Sequence, residues 1–275
     1  MNLRFLRHGE YDKQLYNSCV HYANNGSIYG YDWFLNNTAR EWDLIVEGDP
    51  YVSVLPLPRA TNWLGKLQLR QPPLVPDLAI YSVKPLSPKR VNSFWEAVPA
   101  EFKGGELEVE PLSIPSAKSR FKFRAASGTK LDLNQPYEEI TDDFPPAYFR
   151  DLALAEAADL LPTGTLKPER VAAFFQEHNP KNKDTDWTFH AIQRLMYQLL
   201  HRGWGSVYGV QNRQGEVLAM TFIAYSHGRL FPIVKVESPA GKKAGAMTLL
   251  WDMAIHSHAE RPLRIKREEL FPVGE

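Results

Sequence analysis

Val217-Leu218-Ala219-Met220-Thr221-Phe222-Ile223-Ala224-Tyr225, the polar pair His227-Gly228, and Leu230-Phe231-Pro232-Ile233-Val234-Lys235-Val236 together read as an antiparallel hairpin, two apolar runs around a Gly-bearing turn. Glu237 ends the second run. Ser238-Pro239-Ala240-Gly241-Lys242-Lys243-Ala244-Gly245 follows, and then Ala246, Leu249, Leu250, Met253 and Ala254 recur at helical spacing on the way to His258. Strand, small-residue turn and helix make a geometry that receives phosphate. A helix start leaves backbone N–H groups unpaired and carries roughly half a positive charge. Gly241, Ala244, Gly245 and Ala246 put little side chain in the way of a pyrophosphate, and Lys242 and Lys243 add charge. The same small residues suit a tight turn and close helix–sheet packing equally well.

Composition narrows the class. The chain has 275 residues, 44% of them hydrophobic and 23% charged, and a formal net charge of zero. It therefore has room for one or two domains with an ordinary core, and no whole-molecule field that would draw in nucleic acid or an anionic membrane. One cysteine, Cys19, excludes an internal disulfide and a thiolate metal site. Met1 to Glu10 lacks the apolar core of a signal peptide, and no run approaches the roughly 18 apolar residues of a membrane helix. The expectation is a cytoplasmic protein without membrane insertion.

Upstream of the hairpin, periodicity divides the chain into two halves, 1–135 and 136–275. The first half reads as a helix from Glu10 to Asn24, a short helix capped by Asp32, a hairpin of Trp42–Glu47 and Tyr51–Leu57, short strands near Leu67, Leu78 and Leu107, and a helix opening at Ser87-Pro88. Phe121 to Arg124 closes it as a strand. Arg120, Lys122 and Arg124 there form a basic row, suited either to gripping a phosphate or to protecting a sheet edge. The second half reads as helices over Ala147–Leu161, from Lys167, and from Asp186 to Gly203, then a strand over Ser206–Val210 and the hairpin. The sum is an α+β chain of two mixed, mainly antiparallel sheets flanked by helices.

This order of elements resembles the GNAT-type N-acyltransferases. Tyr29-Gly30-Tyr31-Asp32-Trp33-Phe34-Leu35, the Trp42-Asp43 strand and the stretch Ser238-Pro239-Ala240-Gly241 to Leu250 further resemble the Fem-type aminoacyltransferases, which are built from two GNAT-like halves. The resemblance implies transfer of an acyl or aminoacyl group to an amine. The donor would be acyl-CoA or aminoacyl-tRNA, used as a substrate with no tightly bound cofactor. The acceptor would be a small-molecule or cell-envelope-precursor amine lying in a groove between the halves. In GNAT enzymes the turn reads Arg or Gln, two residues, Gly, one residue, Gly or Ala. Here Gly241, Ala244 and Ala246 stand at those positions, so one of the three matches. The helix after Tyr148 carries Asp151, Glu156 and Asp159 where Fem-type proteins commonly carry basic residues. The run Leu263 to Glu269 lacks the acidic, Gly-bearing strand end common in relatives.

Amine acylation needs a neutral amine, a nearby general base and a donor to the tetrahedral oxyanion. Glu237, at a strand end facing the expected donor, is the candidate base. Tyr225, with Tyr208 beside it, is the candidate hydroxyl donor, although strand aromatics commonly serve the core. Tyr29, Tyr31 and Trp33 are candidates for an acceptor wall, and Arg70 and Gln71 for reading a carboxylate or amide. No metal site is expected: His256 and His258 diverge at i, i+2 on a helix and read as surface histidines. A protein that kept this fold and groove but binds without catalysis, its donor site lost, is the alternative.

Overall fold

The computed structural model describes residues 1–126, 128–164, 166–179 and 183–271. The chain forms two compact units, Met1–Ala126 and Ser127–Glu275. The division falls earlier than the expected one after Gln135, because the strand that follows it pairs within the second unit.

The first unit runs β1 (Leu3–Leu6), α1 (Lys13–Tyr22), α2 (Asp32–Thr38), β2 (Glu41–Glu47), β3 (Ser53–Thr61), β4 (Leu67–Arg70), β5 (Tyr81–Ser82), α3 (Pro88–Glu96), β6 (Gly105–Val109) and β7 (Lys122–Ala125). Among the described residues these strands make one mixed sheet in the order β1-β2-β3-β4-β6-β7, with β5 added to β3. The β1 to β4 pairings are antiparallel, and β4-β6 and β6-β7 are parallel. Side-chain caps set the helix starts: Asp12 accepts from the amides of Gln14 and Leu15, and Ser87 from Arg90 with Pro88 in the first turn. Asp32 is not such a cap. Tyr31 holds the cap position without a side-chain bond, and the Asp32 carboxylate turns to Asn17.

The basic row at β7 divides physically. Arg120 is fastened to the carbonyls of Val98, Pro99 and Phe102, and Arg124 pairs with Glu106, while Phe121 is buried. Arg120 is thus part of the fold, while Arg124 makes a solvent-exposed ion pair at the sheet edge.

The second unit runs β8 (Lys130–Asp132), α4 (Tyr137–Thr141), α5 (Pro146–Ala157), β9 (Leu161–Thr163), α6 (Pro168–His178), α7 (Lys183–His201), β10 (Gly205–Gln211), β11 (Val217–Ser226), β12 (Arg229–Glu237), α8 (Pro239–Lys243), α9 (Ala246–His258) and β13 (Arg264–Lys266). Its sheet has the order β8-β13-β12-β11-β10-β9, antiparallel throughout except for β12-β13. His227 and Gly228 both have positive φ, the backbone a two-residue hairpin turn requires, which fixes Ser226 opposite Arg229. The expected helix through Leu161 stops at Ala157, where the chain turns through Asp159 at positive φ and Leu161 enters a strand. Around α5 and α9 a core forms that includes Tyr148, Ala155, Ala219, Ile223, Leu250 and Trp251, while α6 and α7 pack on β10, β11 and β12. Trp251 is 2% exposed. Burying a side chain of that size supplies several times the roughly 0.8 kcal/mol of one methylene.

Candidate active site

Between β12 and α9 the small-residue turn is itself a short helix. Ser238 Oγ accepts the Gly241 N–H at 3.0 Å, the Ser238 carbonyl accepts the Lys242 N–H at 2.9 Å, and the Ala244 N–H donates to the carbonyls of Ala240 and Gly241. Gly245 then takes a left-handed conformation (φ 69°) at the start of α9. A Cβ built on it would lie 2.2 Å from the Asp151 carbonyl oxygen, and one on Gly241 2.4 Å from that of Leu218. Gly241, Gly245 and Ala246 are buried, whereas Lys242 and Lys243 are exposed. The Glu237 carboxylate bends over the start of α9 and accepts the Met247 N–H at 2.8 Å. The helix end that a phosphate would approach therefore already faces an anion of the chain itself.

Tyr225 belongs to a directed chain of hydrogen bonds. His258, 2% exposed, places Nδ1 2.7 Å from the Ala254 carbonyl oxygen. A carbonyl only accepts, so Nδ1 carries the proton and Nε2 of the neutral ring is bare. The Tyr225 hydroxyl, 3.2 Å from Nε2, donates to it, and so accepts from the Tyr208 hydroxyl at 3.3 Å. Burial, reinforced by the Arg261 charge and opposed by the bond to Ala254, holds the imidazole pKa below its usual value and keeps it neutral. Burial and the neighbouring Tyr225 push the Tyr208 phenol well up. The expectation of two surface histidines holds for His256 alone. His258 is a core residue because α9 turns that face onto β10 and β11.

Tyr208 also lines an open cleft of about 420 Å³, with Leu166, Pro168, Leu200 and Val207 among the other walls. The cleft follows from sheet register. Because β9 pairs with β10 only from Gly209 to Gln211, the Gly205–Tyr208 edge has no strand beside it among the described residues. The Tyr225 N–H bonds the Trp204 carbonyl, so alternate residues Ser206 and Tyr208 face β11 and Val207 turns its N–H and C=O outward toward the cleft.

The remaining sequence candidates lie in the first unit. Tyr29 and Tyr31 are buried, Tyr29 edge-on to Phe34, Tyr31 stacked on half-buried Trp33 at 5.5 Å with its hydroxyl on His21 Nδ1. Arg70 is exposed at the end of β4. Gln71 bridges backbone, donating to the Val75 carbonyl and accepting from the Glu108 N–H. The structure stacks Tyr31 on Trp33 while Tyr29 packs on Phe34, and it brings Glu237 to the small-residue turn. His258 is the residue sequence reasoning missed; its signal was position, one helical turn after Ala254 on the apolar face of α9.

No family model matches the sequence, and no curated protein matches it significantly. Among solved structures the chain is similar to FemX, with a TM-score of 0.54 at 9% identity over 97% of this chain and 88% of that one. A Bacteroides thetaiotaomicron protein of unknown function gives 0.48 at 11% identity over 92% and 82%, and an Enterococcus faecalis probable N-acyltransferase 0.33 at 9% over 97% and 64%. The fold is thus a FemX-like one, with two mixed sheets flanked by helices in tandem. Among the described residues no helix is long and apolar enough to cross a membrane.

Proposed function

We propose that the chain is an N-acyltransferase that passes an acyl or aminoacyl group to an amine bound beside Tyr208. The observation that carries this reading is the Tyr208–Tyr225–His258 chain. The chain ends at Tyr208, a residue that also lines the cleft, so a proton accepted by its oxygen from a nucleophilic amine has a hydrogen-bonded path to the neutral imidazole. In the reaction the amine nitrogen forms a bond to the acyl carbon and the carbon–sulfur or carbon–oxygen bond to the donor breaks. The amine proton moves to the Tyr208 oxygen as the Tyr208 proton passes to Tyr225 and the Tyr225 proton to His258 Nε2. The proton held at His258 Nε2 then returns through Tyr225 and Tyr208 to the leaving thiolate or alkoxide, which restores the neutral imidazole. Depressed basicity weakens His258 as a base, yet keeps it unprotonated and available at neutral pH. Tyr225 thereby keeps a catalytic role, and Tyr208 acts as acceptor in place of oxyanion donor.

The donor is acyl-CoA or aminoacyl-tRNA, and Gly241 to Ala246 with Lys242 and Lys243 form its phosphate site, the Glu237 carboxylate serving as the group that phosphate displaces. A second reading, a binding protein without catalysis, draws support from the same turn, whose amides are already engaged. A thermal-shift comparison with acetyl-CoA, CoA, a longer acyl-CoA and charged tRNA separates the two. A ligand at about a hundred times its dissociation constant stabilises the fold by roughly 2.7 kcal/mol. A shift with one donor is expected, and no shift with any of them leaves the binding protein as the reading.

A further inference from the structure

The turn that joins β3 to β4 is braced by its first residue and holds two apolar side chains in water. The Asn62 side-chain oxygen accepts the Leu64 N–H at 3.0 Å and the Lys66 N–H at 2.9 Å. The Gly65 N–H donates to the Asn62 carbonyl at 2.9 Å, the Asn62 N–H donates to the Lys66 carbonyl at 3.0 Å, and Gly65 has a φ of 74°. At the tip Trp63 is 90% exposed and Leu64 55% exposed.

The second unit builds the same turn between β10 and β11. The Asn212 side-chain oxygen accepts the Gln214 N–H at 3.1 Å and the Glu216 N–H at 2.9 Å, the Gly215 N–H donates to the Asn212 carbonyl at 3.0 Å, and Gly215 has a φ of 80°. There the two tip positions hold Arg213 and Gln214. Asn and Gly therefore make the turn, and nothing in its bonding asks for Trp and Leu. One exposed apolar residue is ordinary on a surface, but an adjacent pair on a braced tip that a polar pair would also satisfy points to something that covers it.

The surroundings select the partner. No Asp or Glu occurs from Tyr51 to Pro76. Lys66 is exposed in the turn, and exposed Lys103 lies beside the start of β4 with its N–H on the Leu67 carbonyl. Glu41, opposite Arg59 on β2, is paired with it. A chain with no net charge thus places cations around this apolar tip. A protein partner of standard size needs about 800 Å² from each side, more than two side chains on a narrow turn supply. A bilayer interface asks for less, since Trp settles at headgroup depth, Leu reaches the acyl boundary and lysines meet anionic headgroups.

We propose that the Asn62–Lys66 turn docks the protein on an anionic lipid surface, with Trp63 and Leu64 entering the headgroup region. This surface stands whether or not the chain transfers acyl groups. The test is sedimentation of the full chain, without any donor, with vesicles of phosphatidylcholine alone or of equal parts phosphatidylcholine and phosphatidylglycerol. The wild type is expected to bind the anionic vesicles several-fold more tightly than the neutral ones. Trp63→Gln combined with Leu64→Gln removes the apolar pair without adding charge, and should weaken that binding by about tenfold or more at an unchanged melting temperature. If the double variant does not fold, Trp63→Ala decides, with a several-fold loss expected. Absence of vesicle binding by the wild type, equal binding to neutral and anionic vesicles, or unweakened binding by the folded variant overturns the proposal. Because no donor is present, a failed donor titration leaves this result intact, and the reverse also holds.

Discussion

Glu237 accepts the Met247 N–H at 2.8 Å, so the positive end of α9 is answered by the chain's own carboxylate. A donor pyrophosphate entering there has to displace that charge. Glu237→Gln preserves size and the accepting oxygen while removing the repulsion. Expected is a several-fold tighter CoA affinity by calorimetry, with a stability loss of about 0.3–1 kcal/mol from the weaker helix-end interaction. Unchanged affinity would mean that the donor does not use this amide.

At Gly245 two constraints coincide, a φ of 69° and the Asp151 carbonyl 2.2 Å from where a Cβ would sit. Gly245→Ala is therefore expected to cost more than about 2 kcal/mol in urea unfolding. Any larger residue there reports on folding before it reports on the donor. Substitution at exposed Lys243 probes donor binding without that confusion; Lys243→Ala should leave the urea midpoint unchanged while weakening CoA.

The relay gives a kinetic prediction. Tyr208→Phe removes the atom that meets the amine, and Tyr225→Phe interrupts the path to His258. Each should lower kcat by about 10²–10⁴ with little change in melting temperature, the usual range for a proton-transfer group. Equal rates in wild type and Tyr225→Phe would remove the relay from the mechanism.

His258 also links stability to pH. Its folded pKa is depressed, so between that value and the ordinary histidine value the unfolded chain binds a proton that the folded chain refuses. Stability therefore falls as pH drops below the unfolded value, and the loss is complete once pH passes beneath the folded one. Melting temperatures measured from pH 7.5 downward should fall more steeply for the wild type than for His258→Gln. Parallel curves would contradict the assignment.

Asp43, fully buried in β2, touches Arg59 Nε at 2.7 Å in ionic contact and accepts the His8 N–H at 3.0 Å. Arg59 also reaches Glu41. Removing one partner strands the other, so Arg59→Met should destabilise by about 3–5 kcal/mol in urea unfolding, and pairing it with Asp43→Leu should recover much of that loss.

Much of this architecture could be read from local pattern. The β11-β12 hairpin announced itself by period-two apolar runs around His227-Gly228, and α9 by Ala246, Leu249, Leu250, Met253 and Ala254. Ser238 and Pro239 carry a helix-start signal, since Ser caps and Pro follows at the first position, although the small residues after them suit an open turn as well. What local pattern cannot carry is long-range partnership. Local pattern makes Asp32 a cap because Asx residues commonly cap, whereas its partner Asn17 lies a helix away. His258 looked superficial beside His256 because only the packed sheet decides which face of α9 is dry. The cleft beside Tyr208 depends on β9 being three residues long, a boundary that periodicity does not fix.

The clasp between β8 and β13 has a consequence for synthesis. Leu131 pairs with Ile265, and the Leu133 and Arg267 amides bond the Leu263 and Thr129 carbonyls, so the second sheet joins the first strand of its unit to the last. On the ribosome the first unit has all its strands once Ala125 has emerged. The second must wait with β8 unpaired through more than a hundred further residues, from Asp132 to Arg264. Nascent chains halted before Leu263 should therefore carry a protease-resistant first unit and a protease-sensitive remainder, the second unit becoming resistant only when β13 emerges to pair with β8.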